Sequence, residues 1–404
     1  MHAPQTESPL SASHLRHIVA ATHIGFVLVG ITATMLGPIL PLLAARWKLS
    51  DTELGYLSVM QFVGSMTGTA LSSPLSARFG MLRTLIFGAL AMAVGASGFG
   101  LSVWPFVAAM VLLYGIGLGL TIPTTNFLIA ELYPINRAAR LNVLNFAWGL
   151  GAALSALTVG WTARNYGTAR PLVMLGMLLI GIALWLLRCA RIGVASPVSP
   201  SSTDKPNSVW RNPFLGLLSL LAFCYVGTES AIAVWVATYA QRMDASADAW
   251  WTVAPTFFLG AILAGRRLAP LFLRVLTAEK LLLAGLLLAL PSIGLLLWTN
   301  SIVILLTAVF FCGLGFAAIY PNLVAILSQQ FGTATAKAGS VVFTIAGLGG
   351  AVLPGLVGRI SDEFASLRAG LLVALAGNAV MLAVQVVLMA MLRRRAAPDG
   401  TDKA

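Results

Sequence analysis

Val111-Leu-Leu-Tyr-Gly-Ile-Gly-Leu-Gly-Leu-Thr-Ile-Pro123 returns 198 residues later as Val309-Phe-Phe-Cys-Gly-Leu-Gly-Phe-Ala-Ala-Ile-Tyr-Pro321. The register holds without a gap from Val111–Gly160 to Val309–Gly358. Identical pairs include Gly115/Gly313, Gly117/Gly315, Pro123/Pro321, Gly149/Gly347, Gly151/Gly349 and Gly160/Gly358. A second match, at a shift of 196, pairs Gly64 with Gly260, Pro74 with Pro270 and Arg78 with Arg274. Chance brings a few glycines together in Gly-rich helices. It does not readily hold one register across two helices and their loop, so the chain reads as two copies of one unit.

The solvent of those copies follows from composition. Of 404 residues, 58% are hydrophobic and only 9% are charged, against roughly 25% charged in an average soluble domain. A soluble fold of this size has too few charges to cover its surface. Lipid requires each span to satisfy its own backbone, which leaves helices or closed barrels. A barrel shows segments of about ten residues with alternating polarity. The apolar stretches here run on without alternation, so they read as helices. Breaks at charged, Pro and Gly-rich points give twelve predicted spans: 18–45, 52–77, 83–103, 105–131, 140–163, 170–190, 213–240, 250–273, 279–298, 301–329, 338–361 and 367–392. The first is too long for a cleaved signal peptide and lacks a small-residue cleavage site.

Twelve spans put both termini on one side. With the termini inside, 18 of the 25 Lys and Arg fall on the cytoplasmic side, as the positive-inside rule requires. The formal charge of +12 is therefore read as membrane orientation and not as nucleic-acid binding. The Pro/Ser-rich stretch Ser196–Ser208 reads as a flexible linker between two six-span halves. The expected organisation is a cytoplasmic tail 1–17, a six-helix bundle 18–190, a linker 191–212, a second bundle 213–392 and a basic tail 393–404. Most tryptophans sit at span ends, as an interfacial belt does, while Trp148 and Trp235 lie deeper. Cys189, Cys224 and Cys312 form no CxxC pair, and no metal, nucleotide or nucleophile-elbow motif is present. No cofactor and no catalytic residue is expected, and any work must draw on a gradient.

Parallel six-span repeats are the architecture of major facilitator transporters, with substrate between the halves. After the second span comes Ser73-Pro-Leu-Ser-Ala-Arg-Phe-Gly80, then Met-Leu-Arg83. This resembles the major facilitator loop signature, Gly-x-Leu-Ala-Asp-Arg-x-Gly-Arg. Leu75, Arg78 and Gly80 match. Ser73 and Ala77 stand at the first glycine and the acidic position, so the signature's usual charge relay is not expected. Three stretches resemble the fucose:proton symporter branch, which includes glucose/galactose importers. They are Asn126 with Asn142-Val-Leu-Asn145-Phe-Ala-Trp-Gly-Leu-Gly151, Tyr225-Val-Gly-Thr-Glu229 with Trp235, and Gly315-Phe-Ala-Ala-Ile-Tyr-Pro321 with Gly347–Pro354. That branch's acidic residues in spans one and four are absent, and Ile122 occupies the second position. Drug antiporters carry Gly-Pro where Ser155-Ala156 stands here, which tells against a drug antiporter.

The resemblance implies an all-α membrane protein of two pseudo-symmetric six-helix bundles. It implies proton-coupled import of a sugar-like polar solute by a monomeric multi-pass protein of a bacterial inner membrane, with no nucleic-acid partner. Proton-coupled export of drugs or organic cations is the alternative. Among individual residues Glu229 stands out, since no other charged residue falls near a span centre and no basic partner is visible at its depth. Burying a carboxylate there costs several kcal/mol unless it is paired, hydrated or protonated, so Glu229 is the expected proton-coupling group. Tyr225, one turn earlier, shares its helix face. Asn126 and Asn145 offer amides suited to polyhydroxyl ligands. Trp148, Trp235 and Tyr320 offer rings, and Asn322 and Gln61 further polar groups. Arg78, Gly80, Arg83 and Glu131 form the expected cytoplasmic gate. His23, inside the first span, is a weaker proton candidate. The run Gly115-Ile-Gly-Leu-Gly119 is a helix-packing stripe and not a nucleotide loop.

Overall fold

The computed structural model describes residues 12–104, 106–190, 212–243 and 250–396. The Ser196–Ser208 linker, nearly all of 191–212 and most of both tails lie outside these residues. The described chain is helical and holds no strand. Its α-helices are α1 (Ala12–Thr34), α2 (Leu36–Trp47), α3 (Asp51–Phe79), α4 (Met81–Leu101), α5 (Phe106–Leu132), α6 (Arg137–Ser155), α7 (Trp161–Tyr166) and α8 (Ala169–Ala190). They continue as α9 (Pro213–Met243), α10 (Trp250–Phe272), α11 (Ala278–Trp298), α12 (Ile302–Phe316), α13 (Ile319–Phe331), α14 (Thr335–Glu363) and α15 (Leu367–Ala396).

These fall on the twelve predicted spans, three of which are broken. The first is α1 and α2, parted at Met35. The fifth is α6 and α7, joined by a π-turn at Ala156–Gly160. The tenth is α12 and α13, parted at Ala317 and Ala318. Pro321 explains the last break, since it has no N–H for the Ala317 carbonyl four residues back and its ring crowds that oxygen. Ten of these stretches are long and apolar enough to cross a membrane. α3 and α10 fall short; α3 carries Asp51, Glu53, Gln61 and Arg78, and α10 carries Arg266 and Arg267.

The sequence repeat has a structural meaning. A Cβ on Gly151 would strike the Val27 carbonyl oxygen of α1, and one on Gly349 would strike the Phe223 carbonyl oxygen of α9. Likewise Gly117 lies on the Gly88 backbone and Gly315 on the Gly285 backbone. Matched glycines therefore mark the same close helix crossings in both halves, where membrane helices approach through small residues. Gly349→Leu drives a side chain into backbone that cannot move aside, at an expected cost above about 3 kcal/mol. The variant should lose its monodisperse peak in size-exclusion chromatography, whereas Gly181→Leu, with nothing within 4 Å of the new Cβ, should keep it. Equal peaks would show that the crossing is not a packing constraint.

The described residues form two compact units. One takes in 12–33, 63–152 and 169–190, and the other 34–62, 153–168, 212–243 and 250–396. The first is cored by Ile18, Leu85, Ala89, Leu128, Ile182 and Leu186, from α1, α4, α5 and α8. In the second, α9 lies among α2, α10, α14 and α15. The units do not coincide with the two sequence halves, because α2, the start of α3 and the end of the fifth span group with the C-terminal half. Backbone contact explains this: Gly37 lies on the Ala233 carbonyl and Gly358 on that of Asp51.

The start of α3 is held unusually fully for a helix end, which leaves four N–H groups without helical partners. Ser50 Oγ accepts from the Glu53 N–H at 3.2 Å, and Glu53 Oε2 accepts from the Ser50 N–H at 2.8 Å, a reciprocal capping box. Asp362 of α14 accepts from the N–H groups of Asp51 and Thr52 at 3.0 and 2.7 Å.

Candidate functional site

In the second unit, α9 presents Tyr225 and Glu229 one turn apart on one face. Tyr225 is 1% exposed. Its ring lies 6.3 Å from that of Tyr320 on α13 and 6.0 Å from that of Phe316 on α12. Tyr320 in turn lies 5.9 Å from Phe343 of α14, so the rings form a continuous aromatic wall. Arg266 of α10 reaches this wall and is half-buried. Its charge acts on Glu229, Tyr225 and Tyr320. The Tyr225 hydroxyl lies close to both the Glu229 carboxylate and the Arg266 guanidinium, yet it makes no hydrogen bond of good geometry to either. Arg266 Nε and Asn322 Nδ2 are also buried without a partner. Among the described residues the one ion pair at contact distance is Arg242–Asp51, so Glu229 and Arg266 face each other from farther apart.

Arg266 corrects the sequence expectation that Glu229 has no basic partner at its depth. The reason is side-chain direction. Arg266 sits in the last third of α10, where counting along the helix puts it near the membrane surface. Helical side chains lean toward the N-terminus, which carries this long guanidinium back toward the helix middle. The available signal was its place within the predicted span 250–273 instead of beyond its end.

The remaining candidates divide by surroundings. Asn322 is 3% exposed and Gln61 is buried too. Trp235 is 0% exposed, and its indole N–H donates to the Pro354 carbonyl at 2.9 Å, which is a packing position that fastens α9 to α14. In the first unit, Asn145 Nδ2 lies 3.5 Å from Asn126 Oδ1. Each amide also donates to its own helix, Asn126 to the Ile122 carbonyl and Asn145 to that of Leu141, both at 2.8 Å. Asn142 is exposed, and Trp148 Nε1 is buried without a partner. His23 Nδ1 lies 2.8 Å from the Val19 carbonyl oxygen.

At the loop signature, Gly80 has φ +85°, a conformation that favours glycine and turns α3 into α4. Arg78 is exposed with its guanidinium 5.2 Å from the Phe79 ring, and Arg83 is exposed as well. Glu131 is exposed and forms no ion pair among the described residues. Arg137 instead donates to the Ala130 carbonyl, and Arg140 lies over the Tyr133 ring.

A second polar cluster has no counterpart in the sequence expectations. Arg242 of α9 grips Asp51 in a bidentate pair at 2.7 and 2.5 Å, and Ser361 Oγ donates to Asp51 Oδ2 at 2.5 Å. The Asp51 side chain is 6% exposed and that of Arg242 44%. Among the described residues no group of three His, Cys, Asp or Glu is placed to hold a metal ion. A groove of the second unit, about 360 Å³, is lined by Phe257, Ile302, Val303, Leu306, Thr307 and Phe310 and carries none of these charges.

Residues 22–354 match the family model of the Major Facilitator Superfamily. The chain belongs to the Major Facilitator Superfamily. This facilitator is a multi-pass integral membrane transporter of small solutes and not an enzyme. It is 23% identical to the sodium-dependent glucose transporter 1A of Mus musculus over 91% of this chain and 95% of that protein. It is also 23% identical to a Bacillus subtilis protein named as a niacin/nicotinamide transporter, NiaP, over 55% of this chain. That match spans just over half of the relative, 57% of its length. Among solved structures, a bacterial homologue of the human lysosomal transporter Spinster, inward-facing and occupied, superposes with a TM-score of 0.72. The superposition covers 94% of this facilitator and 96% of that chain at 16% identity, a likeness of fold.

Proposed function

We propose that this facilitator is a proton-coupled secondary transporter that imports a small polar solute across a bacterial inner membrane by alternating access. It acts as a monomer, its sequence halves 18–190 and 213–392 move about the solute, and Glu229 carries the proton. One observation supports the reading above the rest: Glu229, Tyr225, Tyr320 and Arg266 meet inside helices that lipid surrounds. Ionisable groups at such depth line substrate and proton paths. A sugar-like solute is supported by the glucose-transporter relative and by the Asn126–Asn145 amide pair. A small ring acid is supported by the niacin-transporter relative and by the aromatic wall beside Arg266. Export of organic cations fares worse, because a cation drawn to Glu229 meets the repulsion of Arg266.

The test is solute accumulation in proteoliposomes, against protein-free liposomes, under an imposed pH gradient or an imposed sodium gradient. Accumulation driven by the pH gradient and collapsed by a protonophore is expected. Accumulation under the sodium gradient alone would overturn proton coupling and leave the transporter in place.

A further inference from the structure

We propose that the solute taken by the Tyr225–Glu229–Arg266 site is a small aromatic carboxylate, and that Glu229 competes with it for Arg266. The inference rests on the proton-coupled reading above and names its substrate class.

The donors come first. Arg266 Nε and the Tyr225 hydroxyl are buried, and neither makes a hydrogen bond of good geometry within the protein, although the two groups lie close to each other. A buried donor without an acceptor is destabilising, and more so when it is charged. Two such donors on neighbouring helices, one of them a guanidinium, suit an acceptor from outside. A planar guanidinium fits a carboxylate in two parallel hydrogen bonds. The walls select the rest of the ligand. Tyr320 and Phe343, 40% and 39% exposed with their rings 5.9 Å apart, form a surface on which a flat ring stacks, backed by the buried Tyr225 ring 6.3 Å from Tyr320.

Charge balance makes the choice sharper. With Glu229 ionised, the empty site sets one anion against the Arg266 cation. A carboxylate bound at Arg266 brings a second anion close to Glu229, where low dielectric magnifies repulsion. A proton on Glu229 removes it. The loaded site then holds one cation and one anion, as the empty site did, so both can cross the conformational cycle without uncompensated charge. A neutral solute with protonated Glu229 would leave Arg266 unbalanced in lipid. The titratable groups facing Glu229 are Tyr225 on its own helix, Arg266 on α10, Cys312 on α12 and Tyr320 on α13. The charged residues of α2, α14 and α15 sit at the ends of those helices.

Isothermal titration of the full chain in detergent, with benzoate and its neutral isostere benzamide, tests this. Benzoate should bind at least about tenfold more tightly, the worth of one charge-assisted hydrogen bond. Titrations in two buffers of different ionisation enthalpy should show proton uptake with benzoate. Glu229→Gln should abolish that uptake. Arg266→Lys keeps the charge and loses the fork, and should weaken benzoate roughly tenfold while leaving benzamide unchanged. Failure of benzoate to bind, or benzamide binding as tightly in the unmodified chain, overturns the substrate class even if the variants do not fold. Benzoate binding without proton uptake overturns the competition while the anion site at Arg266 survives; the proton-coupled reading falls separately, on the gradient experiment above.

Discussion

Glu229→Gln will abolish solute accumulation driven by a pH gradient and leave solute-for-solute exchange running. Glutamine has the shape of a protonated glutamate but cannot release a proton, so the site is locked in one charge state. A step of about one pH unit supplies about 1.4 kcal/mol per proton, which is a tenfold accumulation ratio. The variant should therefore fall from roughly tenfold accumulation to none under that gradient. Exchange needs no net proton movement, so counterflow of labelled solute should persist. Aspartate at 229 retains the titrating group and should recover part of the accumulation. Unchanged accumulation in the glutamine variant would make Glu229 a structural residue and send the search to His23, Glu131 or the Asp51 cluster.

Removing Arg242 will destabilise the protein more than removing Asp51, although the two form one ion pair. The asymmetry comes from burial. Arg242→Gln leaves the Asp51 carboxylate, 6% exposed, without its cation. Breaking a fully buried pair in this way costs about 3–5 kcal/mol. The dipole of α3 and the hydroxyl of Ser361 offset part of that, so about 2–3 kcal/mol is expected. Asp51→Asn instead leaves Arg242, whose side chain is 44% exposed and can turn to water, and should cost less than about 1 kcal/mol. The double variant should recover most of the loss, because no buried charge is then stranded. Thermal unfolding midpoints of the four proteins in detergent measure this cycle. Equal, small shifts for both single variants would show that the pair contributes nothing beyond surface electrostatics. If the sequence halves move against each other as proposed, Asp51 would part from Arg242 and Asp362 in each turnover, and the same variants should then also alter the transport rate.

The sequence alone carries the helices, their membrane setting, the repeat and the family, and it places Tyr225 and Glu229 on one face. Each is a local or periodic property. Lipid forces every span to bond its own backbone, so hydrophobic length reports a helix directly. Close crossings demand glycine at fixed positions, so the repeat shows through as Gly151/Gly349 and Gly117/Gly315. Tertiary structure decided the rest. Arg266 belongs beside Glu229 because α10 packs on α9 and its side chain leans back along the helix, which no spacing within α10 reveals. Asp51 meets Arg242, Ser361 and Asp362 only because the start of α3 joins the C-terminal half, some 190 to 310 residues away in sequence. Helix formation depends on neighbours along the chain and was legible. Which buried charges meet depends on which helix faces come together, and that is set by packing across the whole molecule.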